Sequence, residues 1–281
     1  MSDTVNSDNS ATISDLPGDP GAIEGAATPG AGPATGGAGN DDIDAGDDND
    51  TVNANAGDDS IYGEGGNDLL VGQDGSDLLD GGNDNDTMDG GDGDDIALML
   101  GVGNAFLGGA GNDVVVQAAA GNVALMGSGA EDVSIQLGMG NFVNKDADGN
   151  LYAFALGHSN FVYHGGLKPG ETANKQGNLV AVMGGQLNVA HKQGDGAVTG
   201  VMAGSINSLS HVGEGRYVAV MLGSLNVATK IGGPQDIIGE LEHGLLVDPR
   251  DGEGIGMAIE RLVTDRALWE QCARNARGNS L

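Results

Sequence analysis

Eight aspartates stand on a fixed grid. Asp41, Asp50, Asp59, Asp68, Asp77, Asp86 and Asp95 follow one another at intervals of nine residues, and Asp113 resumes the grid after one skipped point, Asn104. Two residues before these aspartates come Gly39, Gly57, Gly66, Gly75, Gly93 and Gly111, with Asp48 and Asp84 as the replacements. Carboxylates beside the carbonyls that glycine turns expose make an all-oxygen donor set, which suits a hard divalent cation. Cysteine and histidine, the ligands that zinc and copper favour, are absent from the grid. Nothing of comparable regularity points to catalysis, since no serine, histidine and acid combination has a recognisable context. We expect no catalytic site and no enzyme.

The element that positions these aspartates must repeat as they do. From Gly36 the chain reads GGAGNDDID, AGDDNDTVN, ANAGDDSIY, GEGGNDLLV, GQDGSDLLD, GGNDNDTMD and GGDGDDIAL, seven consecutive nonads in one register. MLGVGNAFL at 99 loses the glycines, and GGAGNDVVV at 108 returns in phase. Aspartate holds position six, and position eight is Ile43, Val52, Ile61, Leu70, Leu79, Met88, Ala97, Phe106 and Val115. Over residues 36–116 this pattern, GGxGxDxUx with U apolar, resembles the RTX (hemolysin-type) family of calcium-binding repeats. The resemblance implies a parallel β-roll, with six residues of each nonad in a turn, three in a strand, and two nonads to a coil. It also implies Ca2+ as the bound group and type I secretion from a Gram-negative bacterium to the medium or cell surface.

The residues support the same picture on their own. The position-four glycines stand where a tight turn needs positive φ, and aspartate tolerates that conformation as a substitute. One buried side chain per nonad contributes about 2 kcal/mol, against about 1 to 2 kcal/mol to order each residue's backbone. Apolar burial alone therefore does not fold such a roll, and a cation with six to eight oxygen ligands supplies the missing stabilisation. With coils of 18 residues, Asp41, Asp59, Asp77, Asp95 and Asp113 form one column and Asp50, Asp68 and Asp86 the other. Cations between adjacent turns then number about six, each held by position-six carboxylates and glycine-turn carbonyls. Asp42, Asp58, Asp74 and Asp94 strengthen the local field.

Charge placement agrees. The 281 residues carry 41 Asp and Glu against 11 Lys and Arg, a net charge of −30, yet no Lys or Arg precedes Lys145. A long anionic segment without internal cations repels itself unless counterions neutralise it. The same charge argues against nucleic acid or anionic membrane as a partner. A single cysteine, Cys272, excludes an internal disulfide framework. No apolar run reaches the length of a membrane span, and the first residues lack a basic and apolar signal-peptide pattern. Residues 1–35, rich in Ser, Asp, Ala, Pro and Gly, are expected to form a disordered leader.

A longer period begins near residue 100. Asn104, Asn122, Asn141 and Asn160 are spaced by 18, 19 and 19 residues, and Asn188, Asn207 and Asn226 by 19 and 19. We expect residues 117–232 to continue the solenoid without metal, with stacked asparagine side chains bridging the coils. GLKPGETANKQ at 166–176 is expected to leave the coil as a loop, and DADGN at 146 to be a turn without calcium, since no bidentate glutamate follows it. His191 and His211 follow their asparagines by three and four residues, which leaves open a shared face and a transition-metal site.

After Lys230 the apolar spacing of Ile255, Ala258, Ile259, Leu262 and Val263 is helical, so residues 233–281 are expected to form a small α-helical tail. VATKIGGPQDII at 227 and HGLLVDPRD at 243 resemble GT-B glycosyltransferases of the sucrose-phosphate synthase type. That family's sugar-nucleotide site uses two glutamates seven residues apart just upstream of the VAT segment. Here GEGRYVAVMLGSLN occupies that place and belongs to the solenoid repeat, so an inactive remnant capping the solenoid is expected. The fold class expected is all-β, a parallel β-roll and β-solenoid with a disordered leader and a helical tail. The leading function is calcium binding that drives folding of a secreted roll. The alternatives are a structural or adhesive surface solenoid with a cell-envelope partner, and a glycosyltransferase-related protein.

Overall fold

The computed structural model describes residues 12–15, 34–165 and 176–231. Within them the chain is all-β. The strands, in order, are β1 (Thr12–Asp15), β2 (Ala34–Thr35), β3 (Asp41–Asp44), β4 (Thr51–Ala56), β5 (Ser60–Tyr62), β6 (Leu69–Asp74), β7 (Leu78–Asp80), β8 (Thr87–Asp92) and β9 (Ile96–Met99). β10 (Ala105–Ala110), β11 (Val114–Gln117), β12 (Val123–Met126), β13 (Glu131–Gly138) and β14 (Asn141–Lys145) follow. The last four, β15 (Asn150–His164), β16 (Leu179–Gln193), β17 (Val198–Val212) and β18 (Tyr217–Ile231), are each 15 residues long.

Pairing between successive coils is parallel throughout, and the register is set by the repeat length. β5 lies on β3 with Ile61 opposite Ile43, and β6 lies on β4 with Leu70 opposite Val52. Both shifts are 18 residues, because two nine-residue units close one coil and return the chain above its start. Period-two alternation then sends position eight inward. Ile43, Val52, Ile61, Leu70, Leu79, Met88, Ala97, Phe106 and Val115 are all buried in a single axial core. The expected inward file is therefore present at every nonad, the degenerate one included. One side of the roll departs from the expected three-residue strand: β4, β6, β8 and β10 run for six residues, through the start of the following nonad.

The solenoid passes without interruption into the 19-residue repeats. There the two strands of a coil fuse: β15 pairs with both β13 and β14, and β16 to β18 stack on it in turn. The turn that separates two strands in the roll has become a bend at the stacked glycines Gly157, Gly185, Gly204 and Gly223, each of which approaches the carbonyl of the one before. A Cβ at Gly204 would fall on the Gly185 oxygen, so only glycine lets the coils close to sheet spacing there.

Within the segment expected as a leader, Thr12–Asp15 is a strand. β1 pairs antiparallel with β3, from Thr12 opposite Asp44 to Asp15 opposite Asp41. An end strand of a solenoid exposes unpaired N–H and C=O groups, and β1 covers that edge. Of the loop expected at 166–176, residues 166–175 lie outside the described residues, as does the helical tail expected from residue 233.

Candidate metal centre

The turns on one side stack Asp41, Asp59, Asp77, Asp95 and Asp113, and those on the other Asp50, Asp68 and Asp86, as the 18-residue period requires. Hydrogen bonds fix the columns. The Asp59 amide donates to Asp77 Oδ1 at 2.9 Å, the Asp77 amide to Asp95 Oδ1 at 2.9 Å, and the Asp50 amide to Asp68 Oδ1 at 2.8 Å. From Asp59 to Asp113 each carboxylate thus spends one oxygen on the backbone of the coil before it, whereas Asp41 accepts from Gly37 N in its own turn. The other has no partner: Oδ2 of Asp59, Asp68, Asp77, Asp86, Asp95 and Asp113 is buried without a hydrogen bond. Six orphaned carboxylate oxygens in one small domain are costly unless protonated or bound to a cation.

Their surroundings are rich in oxygen. An ideal Cβ on the position-one glycine would fall on this Oδ2, at Gly72 for Asp77 and at Gly90 for Asp95. The same Cβ would meet a carbonyl of the next coil, Gly90 O at 2.7 Å and Gly108 O at 2.8 Å. The absent side chain therefore leaves a cradle bounded by carboxylate and carbonyl oxygens. At position four, φ is positive at Gly57, Gly66, Gly75, Gly93, Gly111 and the substitute Asp84, as expected; Gly39 and the substitute Asp48, in the first coil, are the exceptions. Position two shares the conformation, with positive φ even at Asn55, Glu64 and Gln73. A fixed left-handed residue there is strained for a side chain and marks a turn that the stacking over-determines.

Electrostatics follow from this burial. Loss of solvent pushes the carboxyls of Asp59, Asp68, Asp95 and Asp113 up to about 7 and that of Asp86 up to about 6. Asp50 and Asp77 are raised for the same reason. Neighbouring carboxylates add to the effect, including Asp58 on Asp59 and Asp77, and Asp94 on Asp95 and Asp113. The extra acids at position five thus do strengthen the local field. They also stitch the surface: Ser76 N donates to Asp58 Oδ1 at 2.9 Å and Asn112 N to Asp94 Oδ1 at 2.7 Å, an outer ladder that the sequence reading missed.

Orphaned, desolvated oxygens beside carbonyls fit a hard cation, which would take oxygens from adjacent coils. Among the described residues no three or more His, Cys, Asp and Glu side chains converge as a metal-binding group. A site between coils therefore draws mostly on backbone carbonyls, with few carboxylates at each point. The histidine alternative is corrected. His191 lies opposite Ser210, and its Nδ1 is 2.6 Å from Ser210 Oγ, whereas His211 lies opposite Lys192 and is buried inside. Offsets of three and four residues from their asparagines put the two rings on opposite faces of the sheet.

The asparagine ladder is present as expected. Asn188 Nδ2 donates to Asn207 Oδ1 at 2.8 Å, and Asn207 Nδ2 to Asn226 Oδ1 at 2.8 Å. It continues the second aspartate column, since the Asp86 amide donates to Asn104 Oδ1 at 2.7 Å and the Asn104 amide to Asn122 Oδ1 at 2.9 Å. The first column ends in a residue the sequence reading missed, Asp132, whose Oδ1 accepts from the Asp113 amide at 3.2 Å. A 19-residue step from Asp113 was the available signal.

Comparison with known proteins finds likenesses in two separate segments. Residues 35–70 and 62–97 match the RTX calcium-binding nonapeptide repeat, and the β-solenoid that this segment forms agrees with a calcium-binding repeat. A separate likeness involves 51 residues, 18% of the chain. They are 53% identical to sucrose-phosphate synthase of Spinacia oleracea and of Zea mays, and 51% identical to the probable sucrose-phosphate synthase 1 of Oryza sativa subsp. indica. The match spans 5% of the length of each of those relatives. No solved structure matches the chain.

Proposed function

We propose that residues 36–116 bind about six calcium ions between successive coils, and that binding drives the folding of the roll. The ligands are the position-six carboxylates of Asp41, Asp50, Asp59, Asp68, Asp77, Asp86, Asp95 and Asp113, together with turn carbonyls at and around Gly39, Gly57, Gly66, Gly75, Gly93 and Gly111. One observation carries this reading: the stacked, buried Oδ2 atoms that lack any hydrogen-bond donor. A cation satisfies them and cancels the repulsion along each column. In a medium of about 0.1 to 1 mM calcium the sites fill, whereas at low internal calcium the roll stays open, which suits export before folding. We assign the protein to the bacterial exterior or cell surface on this basis, with binding rather than turnover as its role.

The test is a calcium titration by calorimetry with parallel circular dichroism, on the full chain and on Asp59→Ala plus Asp77→Ala. About six ions and a coil-to-β transition are expected for the parent. The double variant touches three of the gaps in the first column and should lose about half the ions. Absence of calcium-dependent heat and structure overturns the reading.

A second reading, a structural or adhesive surface role, has its own observation. Phe154, Val182, Val201 and Val220 are opposite one another on adjacent strands and all exposed, a contiguous apolar row on the outer sheet face. Loss of surface adhesion on replacing this row by serine would favour it.

A further inference from the structure

Lys145 is the first cationic side chain in the chain, and it is fully buried. Its Nζ donates to Asp132 Oδ2 at 2.6 Å, to Gly129 O at 2.9 Å and to Gly127 O at 3.0 Å. These three oxygens are not arbitrary. Asp132 is the last carboxylate of the first column, and unlike those of Asp95 and Asp113 its Oδ2 is partnered. Gly127 stacks on Gly109 and Gly129 on Gly111, because a Cβ at either would fall on the oxygen beneath it. Gly109, Gly111 and Asp113 are positions two, four and six of the last calcium nonad. The ammonium thus sits among the structural equivalents of the oxygens that line the roll's turns.

The origin of the lysine fits. Gly72, Gly90 and Gly108 are the position-one glycines whose missing side chains open the cradle around the column aspartates. Counting on by 18 and then 19 residues gives Met126 and Lys145, which are paired in register. The position that is vacant in the roll is filled downstream by a side chain carrying its own charge. Register then continues it: Lys145 lies opposite His164, His164 opposite Lys192, and Lys192 opposite His211, all buried. His164 Nε2 donates to Gly149 O at 2.6 Å while its Nδ1 accepts from Lys192 Nζ at 3.1 Å, and His211 Nε2 donates to Gly194 O at 3.1 Å. Gly149 stacks on Gly129, so the histidine N–H meets the same file of turn carbonyls one coil further on.

We propose that Lys145 is a built-in cation that takes the place of a metal ion at the end of the first column. His164, Lys192 and His211 continue that file with N–H donors, so residues 127–231 fold without calcium while residues 36–116 require it. This rests on the calcium reading above for the roll, but concerns residues that reading does not use. Removal of an ammonium paired with a buried carboxylate leaves that carboxylate unpaired, and a site with glycine at position one should then accept calcium instead.

The experiment is hydrogen exchange resolved by peptide on the full chain, with calcium chelated at neutral pH and then restored. In the parent, amides of β13 to β18 are expected to stay protected under chelation, while those of β3 to β9 exchange freely until calcium returns. Lys145→Gly should titrate an additional calcium ion and make protection of β13 and β14 calcium-dependent. Unchanged stoichiometry with unchanged protection in Lys145→Gly overturns the proposal. If that variant does not fold, the parent decides: exchange of β13 to β18 under chelation overturns it, and a protection boundary between Asp113 and Gly127 supports it. Protection of β3 to β9 without calcium would instead overturn the calcium reading.

Discussion

Protons should substitute for metal in the roll. A carboxyl held at about 7 in the fold and 3.8 in the open chain costs about 4 kcal/mol to leave ionised without a cation. Asp59, Asp68, Asp95 and Asp113 share that position and Asp86 lies near 6, so several such costs oppose the metal-free fold at once. Two or three of them rival the whole stability of an ordinary domain, about 5 to 15 kcal/mol. The sign follows from proton counting: a folded-state value above the open-chain value means the fold binds more protons, so this contribution is fully present below 3.8 and lost as pH rises through about 7. In calcium-free buffer the roll should be open at pH 8 and gain β-structure between pH 7 and pH 5. Circular dichroism and exchange protection of residues 41–99 along that series are the measurements. At pH 6, calcium binding should release protons, readable as a buffer-dependent heat. Protection of the metal-free roll at pH 8, or stability that rises with pH between 5 and 8, would refute the argument.

Further expectations concern single sites. Gly90→Leu fills the space beside Asp95 Oδ2 with far more than the methyl that Ala45 and Ala54 carry at position one, so a calcium titration should lose a site and the loaded roll should lose about 1 to 3 kcal/mol; an unchanged ion count would argue against the cradle. Phe106→Ala, which empties the largest fully buried apolar position among the described residues, should cost about 3 to 5 kcal/mol in denaturant titrations at saturating calcium. Asn207→Ala breaks the ladder on both sides and should cost about 1 to 3 kcal/mol, measured with and without calcium and equal in both if the 19-residue coils are metal-free.

Much of this was legible in the chain. Two periods carry it: nine residues with an apolar eighth position define the inward file from Ile43 to Val115, and the position-six aspartates define the columns. Phase is a global property, and local accidents such as the degenerate nonad at 99 do not disturb it; Phe106 still points inward. Less legible was anything that depends on which face a residue meets in three dimensions. His191 and His211 have similar settings in sequence, but offsets of three and four residues send one outward and one inward. Lys145, His164, Lys192 and His211 follow the asparagines by four residues, and this second file at the same spacing was masked because lysine and histidine are ordinarily surface residues. Only the backbone register reveals that they share one buried column.

The 18-residue closure of the roll also makes this molecule a ruler with two interleaved scales. Excising a whole coil would shorten the axis and leave each file of side chains facing its own kind. Excising a single nonad would exchange the scales from that point on, setting Asn104 in line with Asp59 and Asp113 in line with Asp68. Length in such a protein changes without loss of alignment only in steps of two nonads, and any natural or engineered variation in the number of repeats is held to that parity.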